Sequence, residues 1–143
     1  TRLISNVIDM WLDPETVYTA EGSPFDLELH LDTKLKDPAA FTITVTYDPL
    51  VMTPDTSLGT SGVESPIDGM SIFVNPATPG SLVISGYGTQ GTGVGSDIHL
   101  LTIHWTALSS GTSPVDVNIQ TLVDNLFNPL DAGDPSGATV TVY

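Results

Sequence analysis

The chain has 143 residues, a length that suits one folded unit able to bury its own core, and its 40% hydrophobic share is that of a globular protein. Seventeen Asp and Glu against three Lys and Arg give a formal net charge of −14, which repels phosphate backbones and argues against nucleic-acid binding and anionic membranes. No run approaches the roughly 18 apolar residues of a membrane span, and the absence of cysteine removes a disulfide framework and a cysteine zinc site.

Along the chain, period-2 alternation dominates. Ile8, Met10 and Leu12 share one side, which sets Trp11 on the other with Val7 and Asp9. In Phe25 to Asp32 every odd position is apolar and every even one polar, the pattern of a half-buried strand. Phe41, Ile43, Val45 and Tyr47 alternate with Thr42, Thr44 and Thr46. Thr53 to Gly69, with Pro54, Gly59, Gly62 and Pro66, reads as a long surface connection, and the glycine-rich stretch Tyr87 to Ser96 as a mobile loop. Further on, Leu101, Ile103 and Trp105 alternate with Thr102, His104 and Thr106, which places Trp105 in the core. Val115, Val117 and Ile119 alternate with Asp116, Asn118 and Gln120, and Ala138, Val140 and Val142 close the chain in the same way.

Turn residues separate these runs, among them Glu21-Gly22-Ser23-Pro24, Asp48-Pro49, Pro79-Gly80 and Asn128-Pro129. Many short strands with turn signals at this spacing predict an all-β fold, an antiparallel β-sandwich of jelly-roll type. No break in composition and no internal repeat divides the chain, so residues 1–143 are expected to form a single domain.

Several segments in order resemble the cohesin family. Glu21-Gly22-Ser23-Pro24-Phe25-Asp26-Leu27 resembles the glycine turn that opens an early cohesin strand. Phe41-Thr42-Ile43-Thr44-Val45-Thr46-Tyr47-Asp48-Pro49 resembles the family's most recognisable segment, an alternating strand that ends in Tyr-Asp-Pro. Pro79 to Gly86, His99 to Ala107 and Leu122 to Pro129 are similar to later cohesin strands and to the hairpin before the last one. The resemblance implies a jelly roll of about nine strands that presents one sheet face to a dockerin, a small Ca²⁺-dependent helical module. It implies no catalysis and no cofactor, and a place in a secreted or cell-surface protein as one module of a larger chain. No charged-then-apolar leader stands at Thr1, so any secretion signal is expected upstream or removed.

By this resemblance the docking face is built from the strands around Phe41–Tyr47, Met70–Asn75, Leu82–Tyr87 and Ile98–Ala107. Alternation then sets Thr42, Thr44, Thr46, Val83, Ser85, Tyr87, Leu100, Thr102 and His104 on its outer side. Small hydroxyls around a few apolar anchors suit a protein-docking surface, with Tyr87 the natural hot spot. The alternative from a different class is a carbohydrate-binding module that stacks polysaccharide on the outward Trp11. A structural spacer domain of a surface protein is a third reading.

Catalytic and metal signals are thin. His99 and His104 fall on opposite faces by alternation and so cannot share a zinc ion. Asp124, Asn125, Asn128, Asp131 and Asp134 crowd one loop with oxygen ligands, but their spacing is not that of a Ca²⁺ loop, and turn chemistry explains them equally. No metal site is expected. Asp26, Glu28 and Asp32 form an acidic stripe, solvated by default or paired with a basic partner. No nucleophile elbow accompanies the histidines, and the glycine run from Gly86 to Gly95 lacks the Lys-Ser/Thr of a phosphate loop.

Overall fold

The computed structural model describes residues 7–143, apart from the side chains of residues 76 and 77. It is all-β: β1 (Asp9–Asp13), β2 (Thr16–Thr19), β3 (Pro24–Asp32), β4 (Ala40–Thr46), β5 (Met52–Pro54), β6 (Val63–Glu64), β7 (Ser71–Thr78), β8 (Ser81–Tyr87), β9 (Ile98–Ala107), β10 (Gly111–Val123) and β11 (Ala138–Val142). One sheet runs β1-β3-β9-β5, with β6 also paired to β9; the other runs β2-β11-β10-β4-β8-β7. Every pairing between these strands is antiparallel except β2 with β11. The expected sandwich of about nine strands is therefore present as eleven segments. Two of them, β5 and β6, lie in the stretch Thr53 to Gly69 or at its start and are too short for alternation to announce.

The alternation of each strand packs one face inward. Leu27, Leu29 and Leu31 of β3 and Leu101, Ile103 and Trp105 of β9 meet Phe41, Ile43 and Val45 of β4, Leu82 and Ile84 of β8, and Val115 and Val117 of β10 in one buried cluster. Burying each such side chain contributes about 1.5–3 kcal/mol, so this cluster dominates the stability of the sandwich. Trp105 is fully buried as expected, with Tyr47 edge-on at 4.9 Å and Phe25 stacked at 6.5 Å.

One irregularity changes which residues face outward. The register of β3 against β9 pairs Leu29 with Leu101 and then His30 with His99, so Leu100 is the extra residue of a β-bulge. Leu100 and Leu101 both turn inward and are buried, and alternation restarts beyond them. Strict alternation put Leu100 outside and opposed His99 to His104. In the structure Leu100 is core, and His99 shares the outer face with Thr102 and His104.

The glycine-rich segment between β8 and β9 is held at several points. Asp37 Oδ1 accepts from the Gly93 N–H at 2.9 Å, Thr33 Oγ1 accepts from the Gly95 N–H at 3.0 Å, and the Thr92 N–H donates to the Pro38 carbonyl at 2.8 Å.

Candidate functional site

The outer face of β10-β4-β8-β7 is a broad surface of small polar residues with an aromatic end. Thr42, Thr44 and Thr46 stand on β4, directly across from Ser85, Val83 and Ser81 of β8. Thr42 and Ser85 share a hydroxyl–hydroxyl hydrogen bond of 3.0 Å, which fixes the register at the side-chain level as well. On the next strand Phe73 pairs with Ser85 and Ser71 with Tyr87. From the other side β10 brings Asp116 opposite Thr46, Asn118 opposite Thr44 and, past a second bulge, Thr121 opposite Thr42.

The aromatic end is assembled from distant parts of the chain. Tyr87, at the end of β8, stacks on Phe127 with ring centroids 6.4 Å apart and planes 5° from parallel. Phe127 reaches it from the turn after β10. Asp124 shapes that turn, its Oδ1 accepting from the Leu126 and Asn128 N–H groups at 2.9 Å each, while Asn128 Nδ2 donates to Oδ2. The Asn128 N–H and side chain, together with the Leu126 N–H, hold the Asp124 carboxyl below its ordinary pKa. The acidic loop is thus turn chemistry at Asp124 and Asn128. Phe127 sits at φ 63°, a left-handed conformation uncommon for a bulky residue, so the turn holds this ring outward at some conformational cost. Phe73, Leu126 and Phe127 are each about two-thirds exposed or more, at 65%, 74% and 68%.

Of the nine residues expected together on one outer face, six share the outer face of this sheet: Thr42, Thr44, Thr46, Val83, Ser85 and Tyr87. Thr102 and His104 stand outward on the five-stranded sheet, because β9 pairs with β3 and β5 and not with β8. Leu100 is buried at the bulge. Sequence reasoning missed Phe73, Leu126 and Phe127. Phe73 lies inside the strand assigned to this face, and its parity was legible there; nothing local joins Phe127 to Tyr87.

The outer face of the five-stranded sheet is different in kind, built of histidines and acids. His104 Nδ1 lies 2.7 Å from Asp26 Oδ1 and its Nε2 lies 2.6 Å from Glu64 Oε2, so the protonated ring donates to a carboxylate at each nitrogen. Partial burial pulls the His104 pKa down, but the hydrogen bonds to Glu64 and Asp26 and their charges outweigh it, and the net shift is upward from 6.5. Asp55 is a third acid close enough to feel this charge. His30 shows the same balance between Glu28 and Asp97, at 2.9 and 2.6 Å. Trp11 does face outward on this sheet, where it stacks on His30 at 6.0 Å and is partly buried. Every acid of the stripe on β3 has a cation within the chain: Asp26 with His104, Glu28 with His30, and Asp32 with Lys34 at 3.2 Å.

A pH dependence follows for His104. With its folded pKa raised, its contribution to stability is fully present below about pH 6.5, while the acids stay ionised, and is lost as pH rises through the raised value. Urea unfolding at about pH 6 and about pH 9 should show the parent losing more stability than His104→Gln across that interval. The difference should not exceed about 1 kcal/mol, because Asp26 and Glu64 are half exposed. Equal losses in the two proteins would remove His104 as the cause.

No protein-family model matches the sequence, and no curated protein matches it. Solved structures do match, and they define the class: the sandwich has the cohesin fold. A non-cellulosomal cohesin from the hyperthermophilic archaeon Archaeoglobus fulgidus superposes with a TM-score of 0.75 at 9% identity, covering 96% of this chain and 91% of that one. A cohesin module of a family 33 glycoside hydrolase from Clostridium perfringens gives 0.71 at 14% identity, covering 96% and 98%. A chain of a type I cohesin–dockerin complex from Clostridium thermocellum gives 0.69 at 13% identity, covering 100% and 99%. At these identities the likeness is one of fold.

Proposed function

We propose that this chain is a non-catalytic protein-interaction module that receives a dockerin-type partner on the outer face of β10-β4-β8-β7. The observation that carries this reading is the Tyr87–Phe127 stack, with Phe73 and Leu126 also exposed, at one end of a sheet face otherwise lined mainly by small polar residues. A cluster of exposed aromatics on a rigid sheet has the make-up of an interface hot spot, and the surrounding small hydroxyls allow close approach. The fold supports this reading: one structure of the same fold is a chain of a cohesin–dockerin complex. The sheet is preformed, so docking needs little backbone change on this side. Any Ca²⁺ requirement belongs to the partner, and the chain works as one domain of a larger extracellular or cell-surface protein.

Calorimetry of the purified domain against dockerin modules from candidate source organisms, with Ca²⁺ and then with chelator, tests this. Binding abolished by chelation is the expected result; silence across a panel that includes dockerins of the source organism rejects it. In a complex so found, Tyr87→Ala should weaken affinity about tenfold or more, or about 1.4 kcal/mol, with the thermal unfolding of the domain little changed. Unaltered affinity would move the interface elsewhere.

Polysaccharide stacking on Trp11 has less support, because His30 already stacks on that ring and it is partly buried. Loss of retention on insoluble polysaccharide in Trp11→Ala would revive that reading.

A further inference from the structure

We propose that Asp13, Glu28 and His30, on the outer face of the five-stranded sheet, form a binding site for a divalent metal ion of the zinc class. One ligand atom from each of the three lies within 4.8 Å of the other two. The strand register explains the grouping. Asp13 of β1 and Glu28 of β3 are direct cross-strand partners, and His30 is two residues from Glu28 on the same face. Donor atoms around a tetrahedral zinc ion stand about 3.3 Å apart, given Zn–N and Zn–O bonds of about 2.0–2.2 Å. His30 Nε2 and Glu28 Oε1 are already 2.9 Å apart, so small side-chain rotations close the set.

Two further features fit a metal better than a patch of solvated acids. Asp97 Oδ1 lies 2.6 Å from His30 Nδ1, on the far side of the ring from Glu28. A carboxylate there keeps the proton on Nδ1, so Nε2, on the Glu28 side, is the nitrogen that would release its proton to an incoming metal, the arrangement that orients metal-bound histidines. His99 helps hold the His30 ring: it stacks on His30 at 5.1 Å with planes 9° from parallel. Its own Nε2 donates to the Leu101 carbonyl at 3.0 Å, with the Thr102 hydroxyl at 2.9 Å, so His99 positions the ring and is not itself a ligand. Its position depends on the bulge at Leu100.

The contrast with His104 shows why one cluster qualifies and its neighbour does not. Asp26 and Glu64 lie at opposite nitrogens of that ring, so no single point meets one nitrogen and both acids. An imidazole nitrogen with two carboxylates favours zinc and its first-row neighbours over Ca²⁺, which takes oxygen ligands alone. Two carboxylates placed directly across a strand pair repel each other, and a dication between them removes that cost.

The test is calorimetric titration of the purified domain with ZnCl₂ near neutral pH, with CaCl₂ in parallel. The parent is compared with His30→Gln, Asp13→Asn and His104→Gln, and thermal unfolding verifies that each variant is folded. The expected result is one equivalent of Zn²⁺ bound with micromolar affinity, weakened about tenfold or more in both His30→Gln and Asp13→Asn and unchanged in His104→Gln. Four results overturn the site: no Zn²⁺ binding, equal binding in the parent and His30→Gln, loss of binding in His104→Gln alone, or Ca²⁺ bound as tightly as Zn²⁺. The site faces away from the proposed docking surface, so neither result bears on dockerin binding.

Discussion

Trp105→Ala is expected to lower the unfolding free energy by about 3–5 kcal/mol, enough to consume a large part of the whole stability of a domain this size. Trp105 is fully buried between the sheets, with the Tyr47 edge and the Phe25 face against it. Truncation removes the apolar area of the indole and leaves a cavity that two sheets, each pinned by its own ladder, cannot collapse to fill. The indole N–H adds a second expectation, because it is buried with no hydrogen-bond partner among the described residues. An unpaired buried donor is itself a cost of about 1–3 kcal/mol, so Trp105→Phe, which discards the donor and keeps a ring, should lose clearly less than Trp105→Ala. Chemical denaturation of the three proteins decides it. Equal losses in Phe and Ala variants would mean that the packing of the six-membered ring contributes nothing, contrary to the geometry.

The second large effect is expected at Gly137, just before β11. A Cβ built there runs into the Val115 carbonyl oxygen of β10 and comes within 3.2 Å of the Asp116 carboxylate. A backbone carbonyl inside a strand ladder has no room to give. Gly137→Ala should therefore destabilise by about 2–3 kcal/mol, the upper part of the range for overpacking. Gly22→Ala is the control. Gly22 has φ 81° with nothing within 4 Å of the added carbon, so only the left-handed backbone is penalised, by about 1 kcal/mol. A Gly137→Ala variant no less stable than Gly22→Ala would show that β10 and β11 part without cost. The prediction bears on the proposed function through β10, which carries Asp116 and Asn118 on the proposed docking face and leads into the turn that holds Phe127.

The two sheet faces divide the work of the surface. One carries little charge beyond Asp116 and gathers Tyr87, Phe127 and Phe73 toward one end; the other gathers all three histidines with the acids that surround them. With only three Lys and Arg in the chain, protonated imidazole or a bound cation is the main means available to neutralise those acids locally.

What the sequence by itself determined is the class of fold and the parity of most strands. Alternation in Phe25–Asp32, Phe41–Tyr47 and Leu101–Thr106 follows from burying one side of a pleated strand, a local constraint with a period that can be read along the chain. It placed Trp105 inside, Trp11 outside and six of the residues proposed for docking on one face. The tertiary structure alone decided which strands lie together. Parity says that Thr102 and His104 point away from the core, but both sheets of a sandwich have an outer face, and only the pairing of β9 with β3 chooses between them. The bulge at Leu100 was equally hidden, because a hydrophobic pair, Leu100-Leu101, is compatible with either register until a partner strand skips one residue. Contacts across long stretches of chain, Tyr87 with Phe127 and Asp13 with Glu28 and His30, have no local signal, since they arise from packing that brings distant segments together.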